Sequence, residues 1–481
     1  MDIRGGWSCS ELYVKPGVQF PGRCVRSQSF FHSRVPTACK KFQSLNPAAG
    51  SQEDRPRSTS VKGRSIRRES AETTPGNGTL VGAIALITGT SIGAGILAVP
   101  AKTIAAGFIP SASIMTGSWI FLVLEAFLLV EVNLALMSSK KANHSLSKVI
   151  SLQTMAETTL GSRGGILVGA VYVLLTYALI VAYISKSGEV LSLLFHVPRQ
   201  IAEVLFVGVF GYLLLSGGTK LADRANQFMT AGLIGLFLLL VIGGSKYGDW
   251  TALLHQNWKM APEAIPVIFL ALVYHDLIPV ICTYLDGDVR RIQTSVIVGS
   301  AIPLAMLLCW NAVALSLAST SGNADPLSLA IQTSFAVQLF SLLAVLTSII
   351  GSVLGMSEFF IERLGKSIAI LLPGETFFDD ATSPRPAHIK LVSVALVLVP
   401  PLLLSLSISD AFFTAADLAG GYGMTTLYGV LPPVMAWGLA KESGNSHYPG
   451  GRNWITKRGT LAVTGVCACG IIAGQLILDL S

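Results

Sequence analysis

Three glycines and two hydroxyls interrupt an apolar run. Leu80 to Pro100 carries no charge, and its middle reads Gly89-Thr90-Ser91-Ile92-Gly93-Ala94-Gly95 where a plain anchor would place Leu or Val. The run is long enough to cross a hydrocarbon core of about 30 Å as a helix. Backbone groups in lipid must be satisfied internally, so unwound chain at that depth belongs in a protein-lined cavity. The string therefore predicts a helix that unwinds near Thr90–Gly93. Exposed amides at a half-helix start can hold an anion, and exposed carbonyls can hold a cation. A solute with both a carboxylate and an amine suits the two ends. Two simpler readings compete. Gly89 and Gly93 form a G-x-x-x-G pair, which by itself is a packing device between membrane helices. The string is also a loose dinucleotide loop, but that fingerprint needs a preceding strand in a βαβ unit, and the flanks here are membrane helix.

A second irregular segment, Pro266 to Pro279, puts Tyr274, His275 and Asp276 in mid-membrane. Such groups are costly in a bilayer and should face a cavity or a partner. Proton coupling or substrate contact is the functional reading, and a hydrogen-bonded structural pair is the bland one. Glu125 lies near the middle of another apolar run and is a further candidate proton carrier; Glu131, nearer the end, can reach water. Tyr172, Tyr177 and Tyr183 share one run, with Tyr177 near its centre. Ser348 and Ser352 stand four apart on one face of another and could ligate a polar solute. Aromatics and small hydroxyl residues in membrane helices are more often packing. No H-E-x-x-H, P-loop, Ser-His-Asp arrangement or metal-ligand spacing is present, so neither a cofactor nor ATP-driven transport is expected. The seven cysteines imply no disulfide framework.

These residues need membrane helices to position them. Apolar residues make up 51% of the 481-residue chain and charged residues only 13%, against about 25% charged in soluble chains. An all-α polytopic membrane protein follows. Eleven hydrophobic spans are expected, at about 79–103, 110–136, 163–186, 198–217, 222–244, 262–285, 292–317, 330–357, 388–409, 419–440 and 459–479. The stretch from Asp410 to Gly423 could enter the membrane separately or lie at its edge. Met137–Arg163 reads as a solvated connector with a short surface helix, and Phe359–Leu372 as an interfacial amphipathic segment. The spans divide as five, five and one, giving a first repeat over 79–244, a second over 262–440 and an extra helix at 459–479. Spans one and six then open the two halves, and both are irregular. Interrupted helices at matching positions of two halves are the best sequence pointer to a transport site.

Charge is uneven. Residues 1–78 hold 13 Lys/Arg against 6 Asp/Glu, while the rest of the chain is neutral, with 21 of each. The basic character thus belongs to the tail and implies no nucleic-acid partner. Basic, Ser-rich and acid-poor is the composition of an organellar transit peptide, and a disordered cytosolic tail is the alternative. Serine abundance favours a plastid over a mitochondrion. If the tail faces inward, the inner loops carry 16 Lys/Arg and the outer loops 5, which orients the N-terminus to the cytosol-equivalent side. In a plastid inner envelope that side is the stroma.

Three segments together resemble the tryptophan/tyrosine permease family of aromatic amino acid transporters. Gly89 to Pro100 resembles its opening motif, Leu129-Val130-Glu131-Val132-Asn133 the end of its second span, and Val273-Tyr274-His275-Asp276-Leu277-Ile278-Pro279 its aromatic-His-x-x-x-Pro motif. The resemblance covers about residues 78–481. It implies an inverted-repeat fold of the LeuT type with an eleventh helix, and proton-coupled movement of tyrosine or tryptophan driven by a proton gradient. Asp276 departs from the small or amide residue expected after the histidine. On this reading Gly89, Thr90, Ser91, Gly93, Ala94, Gly95, Tyr177, Tyr274, His275, Ser348 and Ser352 are candidates for the substrate, and His275, Asp276 and Glu125 for the proton. A membrane-embedded enzyme using His275 and Asp276, or a channel for a small polar solute, are the alternatives.

Overall fold

Long apolar segments in a bilayer satisfy their backbone within themselves as helices, and helices account for nearly all of the described residues. A computed structural model describes residues 78–142, 150–321, 335–371, 387–442 and 458–480. All of these fall in one unit, Glu72–Ser481. Residues 1–77 of the tail and the connector residues Lys148, Arg385, Arg452 and Lys457 lie outside the described residues.

The order is α1 (Leu80–Ser91), α2 (Gly95–Thr103), α3 (Phe108–Ala142), α4 (Leu152–Phe195), α5 (Arg199–Gly244), α6 (Ile265–Leu272), α7 (Ile278–Tyr284), α8 (Val289–Ser321), α9 (Phe335–Leu371), α10 (Ala387–Ser407), α11 (Ala411–Leu418), α12 (Leu431–Glu442) and α13 (Arg458–Leu480). Among the described residues nine stretches are long and apolar enough to span a membrane, or ten when α1 and α2 count as one bent span. α5 supplies two of these, Arg199–Ser216 and Arg224–Gly244.

α1 and α2 meet at 56°. The break falls at Ile92–Ala94, slightly later than the expected Thr90–Gly93. Thr90 and Ser91 stay helical because their hydroxyls donate back to the carbonyls of Leu86 and Ile87, each at 3.0 Å. The second irregular segment is broken as well. Val273 and Tyr274 leave helical geometry between α6 and a short 3₁₀ turn at His275–Leu277, which leads into α7. α1 packs on α8, and α2 on α6.

Other connections differ from expectation in detail. The surface helix around Met155-Ala156-Glu157 is the first part of α4, which turns at Gly161 (φ 79°) before the long span. It is docked rather than solvated: Met155 and Ala156 are fully buried, and the Asn133 amide donates to Ile150 O and to Met155 Sδ. Phe359–Leu371 continues α9 without interruption instead of forming a separate interfacial piece. Ala411–Glu442 is one helical run whose middle, Ala419–Met424 and Thr426–Val430, is π-helical. Pro266 imposes close packing there, since a Cβ at Gly420 would overlap the Pro266 carbonyl.

Candidate functional site

A cavity of about 720 Å³ lies against the break between α1 and α2. Its wall contains all seven residues from Gly89 to Gly95, together with Tyr274 and Asp276 from the second break and Ser348 and Ser352 from α9. It extends along α1 to Ala85 and includes nothing of α2 beyond Gly95. Ten of the sequence candidates are thus brought together around one space.

The break is held from across the cavity. The Ala94 amide donates to Ser348 Oγ at 3.0 Å, and the Ser348 hydroxyl donates to Ala344 O at 2.9 Å. A helical serine that bonds its own turn keeps a lone pair free, and here it satisfies an amide that the unwound chain has orphaned. Tyr183 shares the cavity wall with Ser348 and Ser352. The glycines differ in purpose. A Cβ at Gly93 would run into Ser348 Oγ, and one at Gly95 would lie 2.8 Å from Ala271 Cα, backbone that cannot step aside. Gly89 faces open space. Gly93 and Gly95 therefore permit close approach, and Gly89 widens the cavity.

Tyr274, His275 and Asp276 lie at the second break and face different ways. Tyr274 and Asp276 reach the cavity, whereas His275 is buried toward α3 and bonds through Nε2 with Leu122 O at 2.9 Å. A carbonyl only accepts, so Nε2 carries the proton, and Nδ1 is left without a partner. The imidazole is stacked between Tyr274 and Tyr428, with ring centroids at 5.0 and 5.2 Å. The Tyr428 hydroxyl donates to the Asp276 carboxylate. Tyr428 comes from the π-helical stretch, and single π turns recur at functional positions.

Besides His275, two candidates lie away from the cavity. The Tyr177 hydroxyl donates to Leu396 O at 2.8 Å, on the seam with α10, and its ring rests near Phe360. The neighbouring tyrosines Tyr172 and Tyr183 line the cavity instead. Glu125 is fully buried in α3 beside the Thr464 hydroxyl of α13, with neither oxygen in a well-formed hydrogen bond. Glu125 and His275 meet the same stretch of α3, since Leu122 lies one turn before Glu125.

Sequence reasoning did not anticipate Tyr428, nor Asn226, Gln227 and Thr230 of α5, which give the cavity a polar edge. The one available signal was the pair Asn226-Gln227 beside an apolar run. Away from the cavity, the far ends of α2, α4, α5, α10 and α11 are tied by polar contacts. Lys102 pairs with Asp417 at 2.6 Å, and Arg199 bridges Glu203, Ser185 and Ser409 O. Ser405 donates to the other Glu203 oxygen, and Lys186 pairs with Glu189 while lying over Phe412.

The chain is similar to known transporters over most of its length. The crystal structure of MhsT in complex with L-phenylalanine superposes with a TM-score of 0.57 at 14% identity, covering 82% of this chain and 98% of that one. This places the helices in a LeuT-type transporter fold. The tyrosine-specific transport system 1 of Haemophilus influenzae is 29% identical over 393 residues, 76% of this chain and 90% of that protein. The tryptophan-specific transport protein of the same organism is 25% identical, over 76% of this chain and 87% of that protein. The sequence model of the tryptophan/tyrosine permease family matches residues 77–472. This chain is therefore a multi-pass membrane protein that belongs to the tryptophan/tyrosine permease family, a family of transporters and not of enzymes.

Proposed function

We propose that the chain is a proton-coupled secondary transporter of an amino acid, with tyrosine or tryptophan as the preferred class, working by alternating access around the two broken helices. The observation that carries this is the convergence of both breaks on one cavity of about 720 Å³, a size within the range of about 300–1,000 Å³ typical of small-molecule sites. The start of α2 brings a positive helix end to the substrate carboxylate, and the end of α1 brings a negative one to its amine. Tyr172, Tyr183, Tyr274 and Met424 offer aromatic and polarisable surface to a ring, and Asn226 and Thr230 offer polar groups to its hydroxyl or indole N–H.

In this reading Asp276 takes the proton, since its carboxylate borders the cavity and holds the Tyr428 hydroxyl. His275 fixes the geometry of the break from behind, and Glu125 is the second candidate for the proton. Ala411–Glu442 is the remaining membrane span, making eleven in a five-plus-five inverted repeat with α13 as the extra helix. The basic tail directs import to a plastid, with the N-terminus stromal in the inner envelope.

Uptake of labelled amino acids into proteoliposomes tests the reading. Saturable accumulation of tyrosine or tryptophan that grows with an imposed pH gradient and collapses with a protonophore is expected. Equilibration without accumulation would support a channel and overturn it.

A further inference from the structure

A second cavity, of about 820 Å³, opens between α3, α6 and α13. Ile114, Phe121, Ile265, Phe269 and Ile471 form much of its wall, and no charged side chain lines it. Two of its polar groups are already engaged: the Ser113 hydroxyl donates to Ile109 O at 2.9 Å, and the Gln475 amide donates to Asp479 at 2.9 Å. Gly117, Gly470 and Gly474 line it with nothing within 4 Å of where a Cβ would stand. The floor is the stacked pair Phe121 and Phe269, with centroids 5.8 Å apart. α13 packs on α12 and the π-helical run, which holds it off α3 and leaves the slot between them.

We infer that this slot is a binding site for one acyl chain of a membrane lipid. Two of its walls, α3 and α13, are membrane spans. Slot residues Ile477 and Leu478 are themselves exposed and continuous with exposed Val463 and Val466 on α13. The slot is thus open sideways to hydrocarbon rather than to water. Its length fits as well. Ser113 to Phe121 rises about 12 Å and Cys467 to Leu478 about 16 Å, close to the depth of one leaflet, half of about 30 Å. An empty apolar slot of this size would forfeit the dispersion contacts of its lining. The site has a mechanical consequence. Phe269 lines the slot while the next residue, Leu270, lines the central cavity. A seated chain therefore braces α6, the half-helix that leads into the second break.

Native mass spectrometry of the full-length protein after mild delipidation tests the site. The wild-type chain should retain about one phospholipid. Gly470→Phe and Gly474→Phe start from Cβ positions with nothing within 4 Å and send a ring into the slot, and should abolish retention. Gly459→Phe, on the same helix outside the slot and also in open space, should leave it unchanged. Retention of no lipid by the wild-type protein, or equal retention by all variants, would overturn the inference. A second measurement needs no variant: a phospholipid with a photoreactive acyl chain, reconstituted with the wild-type chain, should mark peptides around 113–121 and 467–478. Labelling of the exposed face of α5 at the same level would also overturn it.

Discussion

Ser348 accepts a hydrogen bond from the Ala94 amide at 3.0 Å while donating to Ala344 O at 2.9 Å. This contact joins α9 to the middle of the first broken helix, and it satisfies an amide that the break has released. An orphaned buried amide costs about 1–3 kcal/mol. Ser348→Ala should therefore lower thermal stability by about that amount and depress uptake, whereas Ser348→Thr keeps the acceptor and should retain most of both. Melting of the purified variants beside initial uptake rates distinguishes the two. A stable, fully active Ser348→Ala variant would remove the serine from the mechanism.

The glycines of the first break should respond differently to a single methyl group. Gly93→Ala presses on Ser348 Oγ, and Gly89→Ala enters open space. We expect Gly93→Ala to lose most uptake with normal membrane insertion. Gly89→Ala should remain folded and shift KM, because its methyl group projects into the cavity. Equal behaviour of the two variants would contradict the packing described above.

The roles of His275 and Asp276 should separate. Asp276→Asn should abolish pH-gradient-driven accumulation while leaving substrate exchange, since it removes the charge and keeps an acceptor for Tyr428. Tyr428→Phe should weaken the same coupling by removing the donor. His275→Ala empties a stacked, fully enclosed position between two tyrosines and should act on stability, by about 2–5 kcal/mol if it resembles other large-to-small core changes. Comparing accumulation with exchange, and both with melting temperature, reads the three cases apart. Normal accumulation by Asp276→Asn would move the proton to Glu125.

Lys102 and Asp417 tie the end of α2 to α11 at 2.6 Å, and both are partly exposed. The pair should contribute within about 1 kcal/mol to stability, so its loss should alter transport more than folding. Lys102→Met should slow net uptake, and the exchanged pair Lys102→Asp with Asp417→Lys should recover part of the rate. No change in uptake on losing the pair would show that closure of this end does not depend on it.

Residues 1–78 should direct import. A fusion of this segment to a fluorescent protein is expected in plastids, and cytosolic fluorescence would overturn the targeting proposal without touching the transport proposal.

The sequence by itself determined the membrane class, the positions of most spans and the two broken helices. Each of these is a local matter: apolar length decides whether a segment crosses a bilayer, and Gly, Pro and mid-span polar residues decide where it cannot stay regular. The motifs from Gly89 to Pro100 and from Val273 to Pro279 also carried the family. Only the tertiary structure decided which polar side chains meet. Of Tyr172, Tyr177 and Tyr183 the sequence singles out the central Tyr177, yet Tyr172 and Tyr183 face the cavity while Tyr177 bonds Leu396. His275 and Asp276 are neighbours that face different ways: consecutive residues of a helical turn point apart, and the 3₁₀ turn at His275–Leu277 sends His275 toward α3 and Asp276 to the cavity. Tyr428 reaches Asp276 through π turns that no local signal marked, seated where Gly420 meets Pro266. Contacts between residues more than a hundred positions apart depend on how helices cross, and a lone sequence specifies each helix's faces without stating which neighbour will cover them.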